Sequence, residues 1–355
     1  MQRDLVERLG WVTQEEYLEG LAVSQTLPGP LAAQLAMWLG YVRRGFLGAV
    51  AAALPFILPP FVIVSVVAAL YVAFAGSTVI QALFYGVGPT VIALILRGAW
   101  KLVRVTVKND RRLWAIFGAI AAITFIARSE VAILFVVSGL VGVLLYAPPA
   151  WLRRALAARA LVPLGLGSVI GAVQTADPNV LLALGIFFFK AGAFTFGSGL
   201  AIVPFLQQGV VRDYGWLSER EFLDAVAMGM ITPGPVVITA VFVGYLVAGL
   251  AGATVAAAAT FLPCYLFTII PAPYFRKHGK KPAIVAFVDG CTAAAIGTIA
   301  GAVIVLGKRS ITDFPTIAIM AVTLLLLWKV KKIPEPAIVA LAAVAGLIVY
   351  PLIKG

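Results

Sequence analysis

Two Pro-Gly-Pro motifs inside apolar segments are the first candidates for ligand-binding chemistry. They are Pro28-Gly29-Pro30 and Pro233-Gly234-Pro235. Proline ends a helix, glycine permits a turn, and a second proline can open the next helix. The free amides and the dipole at the start of that helix favour an anion. Gln34 follows the first motif, and Thr232 and Thr239 flank the second. A proline kink that serves only packing is the alternative.

A lysine within an apolar segment is the second candidate. Lys190 follows three phenylalanines and precedes Gly197-Ser198-Gly199. A lysine in a membrane costs about 2.5–3.5 kcal/mol on insertion scales, so it marks a transport pathway or a partner. The Gly-Ser-Gly sequence offers flexible backbone and a hydroxyl that could bind a ligand oxygen. The alternatives are snorkelling of Lys190 to the interface and helix packing for the small residues.

Three carboxylates stand closest to the apolar segments, namely Asp289, Glu19 and Asp224. Glu19 and Asp224 each precede the first proline of a Pro-Gly-Pro motif by nine residues. A partly buried carboxylate can carry a coupling proton. We expect Asp289 to be the most buried of the three. A position in the first helical turn at the interface is the alternative for the other two.

The elements that must position these residues are membrane helices. Hydrophobic residues make up 62% of the 355 residues and charged residues 12%, whereas a soluble domain is about a quarter charged. No Asp, Glu, Lys, Arg or His lies between Arg44 and Arg97 or between Asp224 and Arg276. Each interval is long enough for two crossings of about 20 residues. The composition predicts an all-α polytopic membrane protein.

Several other functions are excluded or unsupported. The net charge of +12 fits the Lys- and Arg-rich cytoplasmic loops of membrane proteins, so no nucleic-acid partner is expected. Cys264 and Cys291 are far apart, and the one histidine, His278, lies in a basic loop, so neither a metal site nor a cofactor is expected. The chain has no G-x-x-x-x-G-K-[ST] and no H-E-x-x-H motif. We therefore expect no enzyme.

An internal repeat organises the chain. The recurring motifs are Gly10-Trp11 with Gly215-Trp216, Gly40-Tyr41 with Gly244-Tyr245, Leu58-Pro59 with Leu262-Pro263, and Gly86 with Gly290. We assign 1–146 to the first membrane repeat, 147–178 to a basic linker with a connecting membrane segment, and 179–355 to the second repeat. The Pro-Gly-Pro segments, 17–41 and 222–246, are each expected to cross the membrane once.

The basic loops predict the orientation of the two copies. Positive charge follows the first and third segments of the first copy, at Arg43-Arg44 and 101–112. In the second copy it follows the second and fourth, at 276–281 and 329–332. Because basic loops stay in the cytoplasm, the copies are expected to be inverted-topology repeats, as in many secondary transporters. Residues 1–16 would then lie outside.

An ordered series of motifs resembles the chromate ion transporter family in its long, two-domain form. The motifs are Phe189-Lys190-x-Gly192-x-x-Thr195-Phe196-Gly197-Ser198-Gly199, Ile202-x-Pro204, Trp216-Leu217, Phe222-Leu223-Asp224, Thr232-Pro233-Gly234-Pro235 and Leu27-Pro28-Gly29-Pro30. The resemblance implies a multi-pass protein of the plasma (inner) membrane that exports chromate, a tetrahedral dianion similar to sulfate, coupled to protons. The first copy has no equivalent of 187–200 before Gly10, so we expect Met1 to be an internal methionine of a longer product or the start of a shortened chain.

Together these features predict a site between the two copies. The dianion would be held by Lys190, the Gly-Ser-Gly turn, the two Pro-Gly-Pro motifs, Gln34, Thr232 and Thr239. Asp289, and then Glu19 and Asp224, would handle protons. The alternatives are a transporter of sulfate or another oxyanion, a passive anion channel, and a membrane scaffold. A homodimer is left open.

Overall fold

The computed structural model describes residues 2–74, 77–127, 133–148, 180–195, 199–270, 274, 281–330 and 333–354. Within these ranges the chain is helical and contains no β-strand. Among the described residues, five helical stretches are long and apolar enough to cross a membrane: Leu31–Ala73, Thr78–Val107, Val236–Ile269, Pro282–Lys308 and Glu335–Ile353. The all-α polytopic class expected from composition is confirmed.

The first half of the described chain contains five α-helices. The elements in order are a π-helical segment (Gln2–Arg8), α1 (Gln14–Thr26), α2 (Leu31–Ala73), α3 (Thr78–Leu102), a π-helical segment (Val103–Val107), α4 (Arg111–Ala127) and α5 (Ile133–Tyr146).

The second half contains seven α-helices among its described residues. The elements in order are α6 (Val180–Ala193), a 3₁₀ turn (Gly199–Ala201), α7 (Ile202–Leu206), a π-helical segment (Gln207–Asp213), α8 (Glu219–Ile231), a 3₁₀ turn (Val236–Ile238), α9 (Thr239–Ile269), α10 (Pro282–Ser310), α11 (Phe314–Lys329) and α12 (Glu335–Lys354).

The repeated sequence motifs adopt matching local geometry. Each Gly-Trp follows a π-helical segment, and the Trp amide donates to a backbone carbonyl at 2.8 Å, from Trp11 to Leu5 and from Trp216 to Val210. A capping box then opens the next helix in both copies, because a hydroxyl and a glutamate exchange hydrogen bonds with each other's backbone amides.

Each Pro-Gly-Pro motif is the tip of a helical hairpin, and this corrects the expectation of single crossings at 17–41 and 222–246. Gly20 of α1 contacts Trp38 of α2, and Gly229 of α8 contacts Thr239 of α9. Such contacts require the two helices to run antiparallel on either side of the tip. Hydropathy did not indicate the reversal, because two short apolar helices give the same hydropathy profile as one long apolar segment.

A second reversal follows each hairpin, inside what is nominally one helix. The backbone leaves helical geometry at Arg44-Gly45 and at Ala248-Gly249, where the glycines have φ of 60° and 57°. This left-handed conformation suits glycine, which has no Cβ to clash. The limbs on either side touch through their backbones, with Gly40 against Gly48 and Gly244 against Gly252. Limbs 46–73 and 250–269 then continue as long helices.

The second copy has a further hairpin that precedes its Gly-Trp motif. Phe187 of α6 packs on Gly209, and its ring lies 5.5 Å from that of Phe205 and 5.8 Å from that of Trp216. The equivalent tryptophan of the first copy, Trp11, is 59% exposed and makes no comparable ring contact among the described residues. The structure describes this hairpin up to Thr195 on one limb and again from Gly199 on the other.

Both limbs of a hairpin end on the same face of the molecule. Leu5 and Trp11, which precede α1, line one groove with Arg43 and Arg44, which end the returning limb. The residues before α1 therefore lie on the face of the basic pair, whereas a single crossing would have separated them. The expectation that 1–16 lie opposite Arg43-Arg44 is wrong for this reason.

Candidate functional site

The tips of three hairpins meet at one place. The amide of Gly29 donates to the carbonyl oxygen of Thr195 at 2.5 Å, which joins the first Pro-Gly-Pro tip to the tip after α6. A Cβ built on Gly199 would lie 3.4 Å from the amide nitrogen of Val236, which joins that tip to the second Pro-Gly-Pro. The structure thus brings together motifs that are up to 205 residues apart.

The two Pro-Gly-Pro tips make reciprocal contacts with the long limbs of the opposite copy. A Cβ on Gly29 would lie 3.2 Å from Cys264 Sγ, and a Cβ on Gly234 would lie 3.1 Å from Pro60 Cβ. Cys264 and Pro60 are equivalent in the repeat, because each follows a Leu-Pro pair. Exchange of equivalent contacts is the mark of a two-fold relation between two units.

Helix starts, rather than charged side chains, line the junction. The helical segments that begin at Leu31, Gly199 and Val236 all start there. The first amides of a helix have no partner in a preceding turn, and the helix dipole is positive at that end. None of the residues in 27–35 or 232–240 carries a charge. An anion at this position would be bound through backbone dipoles.

The predicted polar residues are buried at the tips. Gln34 is fully buried, and its Nε2 donates to the carbonyl of Pro28 at 2.8 Å, while its Oε1 meets no hydrogen-bond partner among the described residues. Thr232 donates its hydroxyl proton to the carbonyl of Met228, and Thr239 donates to Val236. Pro30, Gly199, Pro233 and Pro235 also belong to the tips, whereas Gly197 and Ser198 lie outside the described residues.

Lys190 stands apart from these residues. It lies on α6 five residues before Thr195, on an exposed face shared with Ile186 and Phe189. The opposite face of α6, which includes Phe188, is buried against the core. The structure therefore places the lysine next to the hairpin tips along the chain but not among them.

The three carboxylates occupy different environments. Asp224 is only 4% exposed and accepts a hydrogen bond of 2.7 Å from the hydroxyl of Tyr71. Glu19 is half-buried, and so is Asp289, which lies near Lys108 and Asp110 rather than near the tips. The expectation that Asp289 is the most buried is wrong, because Tyr71 from the other copy covers Asp224.

A cavity of about 330 Å³, lined by polar and apolar residues, opens beside Asp224, and sequence reasoning did not find it. It is lined from α3, α8, the end of α10, α11 and α12. The polar residues that line it are Gln81, Tyr85, Glu219, Arg220, Asp224, Ser310, Thr312, Thr316 and Tyr350. One signal was available, since the repeat that pairs Gly86 with Gly290 also pairs Tyr85 with Asp289. Within the described ranges no three His, Cys, Asp or Glu side chains converge as a metal site requires.

Comparison with known proteins gives consistent matches. The family model described as chromate transporter matches residues 1–143 and 182–347. A chromate transport protein of Cupriavidus metallidurans is 57% identical over 354 residues, which cover 99% of this chain and 88% of that protein. A probable chromate transport protein of Synechococcus elongatus is 51% identical over 352 residues, with 99% and 89% covered. A chromate transport protein of Pseudomonas aeruginosa is 32% identical over 369 residues, with 99% and 87% covered. No solved structure matches the chain.

Proposed function

Because this chain belongs to the chromate transporter family, a family of transporters rather than enzymes, we propose that it exports chromate across the plasma (inner) membrane in exchange for protons. The observation that carries the proposal is the meeting of three hairpin tips, where three helical segments start. Such starts bind anions without a compensating charge in the protein. A multi-pass helical protein with this junction is suited to move an anion.

The proposed substrate site lies between the hairpin tips. A tetrahedral dianion presents oxygens in four directions, and amides that converge from separate helix starts can approach several of them at once. Gln34, Thr232 and Thr239 add polar groups to the same junction. Lys190 supplies a formal positive charge on α6, at the approach to the tip. Sulfate has the same shape and charge as chromate, so the transport assay must separate the two.

We further propose that the copies are inverted repeats that alternate access to this site. The support is the position of the two hairpins along limb 46–73. The first hairpin ends at Arg43-Arg44, beside the start of that limb, whereas Asp224 of the second hairpin bonds to Tyr71 near the end of the limb. Hairpins that enter from opposite ends reach the junction of the tips from opposite sides of the membrane, as in inverted repeats.

Proton coupling is proposed to use the carboxylates of the hairpins. Asp224 and Glu19 lie at equivalent positions of α8 and α1, nine residues before the two Pro-Gly-Pro tips. Asp289 stands near Lys108 and Asp110, where it can exchange protons with the aqueous phase beside the basic loops. A carboxylate within the membrane region changes its net charge on protonation, which is how a proton gradient acts on a carrier.

Transport into proteoliposomes tests the proposal. Purified protein should exchange internal for external labelled chromate without any gradient, and an imposed pH gradient should drive net chromate movement. Faster exchange of sulfate than of chromate would reassign the substrate. Flux of either anion that ignores the pH gradient would replace the proton exchanger by a passive anion channel.

A variant of Lys190 tests its proposed role. Lys190→Ala should reduce chromate exchange by about tenfold, since the approach to the tip loses its formal charge, with no loss of folded protein. Lys329→Ala, which removes an exposed lysine at the end of α11, is the matched control and should exchange like the parent. Equal exchange in both variants would return Lys190 to an interfacial role.

A further inference from the structure

The cavity beside Asp224 runs from the molecular surface to a buried carboxylate. Arg220 and Thr312 are exposed at its mouth, whereas Asp224 at its floor is 4% exposed. At about 30 Å³ per water molecule, its volume of about 330 Å³ has room for roughly ten waters. The cavity therefore offers a solvated path to a group that the packed helices otherwise isolate.

The walls of the cavity are suited to hold ordered water. The hydroxyl of Tyr85 donates to Asp313 and that of Tyr350 donates to Gln81, each at 2.7 Å. These pairs fix polar side chains along α3 and α12. The Oγ of Ser310 is buried and meets no protein partner among the described residues. A buried hydroxyl of this kind is normally satisfied by a water molecule.

Tyr71 orients the carboxylate that lies at the floor of the cavity. Its hydroxyl donates to Oδ2 of Asp224 at 2.7 Å. Its ring is held edge-on by Phe84 at 5.6 Å and by Phe242 at 5.3 Å, one from each copy. The same limb carries Pro60, which contacts the Gly234 tip. The bond between Tyr71 and Asp224 therefore connects the cavity to the elements that form the substrate site.

We propose that this cavity is the aqueous route by which protons reach Asp224, and that Tyr71 is the positioning residue that holds this carboxylate at the cavity floor. A proton passes from a hydronium ion in the cavity to a carboxylate oxygen of Asp224 and leaves a water molecule. This assignment rests on the proposed proton coupling and deepens it by naming the point of entry and the residue that shapes it.

Proton entry fits both the charges around Asp224 and the side of the membrane on which the mouth of the cavity opens. Glu219, Arg220 and Glu221 face this region from α8 itself, and Tyr85 and Tyr350 line the cavity from α3 and α12. Two carboxylates against one guanidinium make the path more attractive to protons than to a dianion. Because Gln81 lies across limb 46–73 from Arg43-Arg44, the basic-loop rule puts the mouth outside, where protons enter during export.

Cysteine labelling tests whether water fills the cavity. Gly88 lines it, and a Cβ there would meet only Ser310, at 3.8 Å, so Gly88→Cys should fold and react with a water-soluble methanethiosulfonate. Ala93→Cys, on the same helix but fully buried, is the control and should stay unreactive. The two natural cysteines are buried and give little background. Equal labelling of the two variants would refute the proposed aqueous route.

The pH profile of transport tests Tyr71. Tyr71→Phe keeps both ring contacts but removes a hydrogen bond that stabilises the charged carboxylate. The midpoint of pH-gradient-driven chromate flux should therefore move to higher pH by about one unit. Tyr265→Phe, whose hydroxyl donates to the Phe46 carbonyl far from the cavity, should leave the midpoint in place.

The outcomes separate this assignment from the proposed function. Absence of chromate exchange in the parent protein would refute the transport site, and the labelling ratio of Gly88→Cys to Ala93→Cys would still decide the aqueous route. Normal exchange with an unmoved midpoint in Tyr71→Phe would refute the positioning role alone. Normal exchange with an unreactive Gly88→Cys would refute the route alone.

Discussion

The two copies of the repeat share a backbone and differ in the side chains laid on it. The Gly-Trp turns, capping boxes, Pro-Gly-Pro tips and Gly45 and Gly249 reversals recur with nearly the same dihedral angles. Yet Trp216 packs against Phe187 and stacks on Tyr214 at 4.2 Å, whereas Trp11 is 59% exposed. Residues that determine chain direction have been kept in both copies, while their surroundings have diverged.

The same divergence separates the titratable residues. Asp224 is buried under Tyr71, while its equivalent, Glu19, is half-buried. Tyr85 donates to Asp313 on one face of the molecule. Asp289, which takes the place of Tyr85 in the second copy of the repeat, lies on the opposite face. Two clusters at equivalent positions therefore carry different charges. The comparison teaches that the two copies share a backbone while their titratable groups lie in different environments.

The largest expected effect should be equal in the two copies. Gly48→Val and Gly252→Val would each force a side chain into the opposing glycine's backbone, at a cost of about 3 kcal/mol or more. We expect both variants to lose monodisperse protein on size-exclusion chromatography. Gly118→Val, in α4 with open space around it, is the matched control and should remain folded. A folded protein in either test variant would break the equivalence.

The next effect should be unequal. Asp224→Asn is expected to lower pH-gradient-driven chromate flux by about tenfold or more, because a buried carboxylate loses its charge change. Chromate exchange without a gradient should persist. Glu19→Gln, at the equivalent but half-buried position, should lower gradient-driven flux by only about threefold. Equal losses would mean that both copies handle protons alike.

A smaller effect concerns the two tryptophans. Trp216→Ala removes ring contacts with Phe187 and Tyr214 and should cost about 2 kcal/mol of stability. Trp11→Ala should change stability by no more than about 0.5 kcal/mol, since the side chain is mostly exposed. Thermal unfolding in detergent measures both. A similar loss in Trp11→Ala would mean that a further element covers the first copy.

The smallest expected effect concerns Asp110 and Tyr146, on the face of the molecule that carries the basic loops. A hydrogen bond from Tyr146, followed by backbone amides, holds the pKa of Asp110 below its usual value. A lowered carboxyl pKa contributes stability above the unfolded value and loses it as the pH falls through the folded one. Tyr146→Phe should lower the Tm by about 1–2 °C at pH 7. The difference in Tm between parent and variant should shrink as the pH falls below the ordinary carboxyl range, and a difference that stays constant there would assign the effect to packing.

The helical membrane class and the repeat could be predicted from sequence because both depend on local signals. The apolar composition indicated a lipid environment, and glycine, proline and capping residues recurred at fixed spacing in the two copies. The family could be recognised for the same reason. The hairpins could not be predicted, because their evidence is a contact between Gly20 and Trp38, and an apolar stretch of 25 residues has the same hydropathy whether it crosses or reverses.

The residues at the hairpin tips could be predicted from the sequence, but the tertiary contacts of the charged residues around them could not. Pro28-Gly29-Pro30 and Pro233-Gly234-Pro235 could be singled out by residue type. The burial of Asp224 depends on Tyr71, which lies 153 residues earlier, and no periodicity within α8 indicates which helix covers it. The exposure of Lys190 likewise depends on which face of α6 meets α9. Sequence spacing gives the face of a helix but not its neighbour.

The reciprocal contacts of Gly29 with Cys264 and of Gly234 with Pro60 have a consequence for energetics. A two-fold arrangement can exchange the roles of its halves, and the exchanged conformer makes nearly the same set of contacts. Two such conformers differ in free energy only through residues that break the symmetry, and Asp224 with Tyr71 is such a pair. A gap of a few kcal/mol can be inverted by one protonation or by one bound anion. Under the proposed alternating access, the near-equality of the halves would keep the two conformers close in free energy, and their inequality would favour one of them.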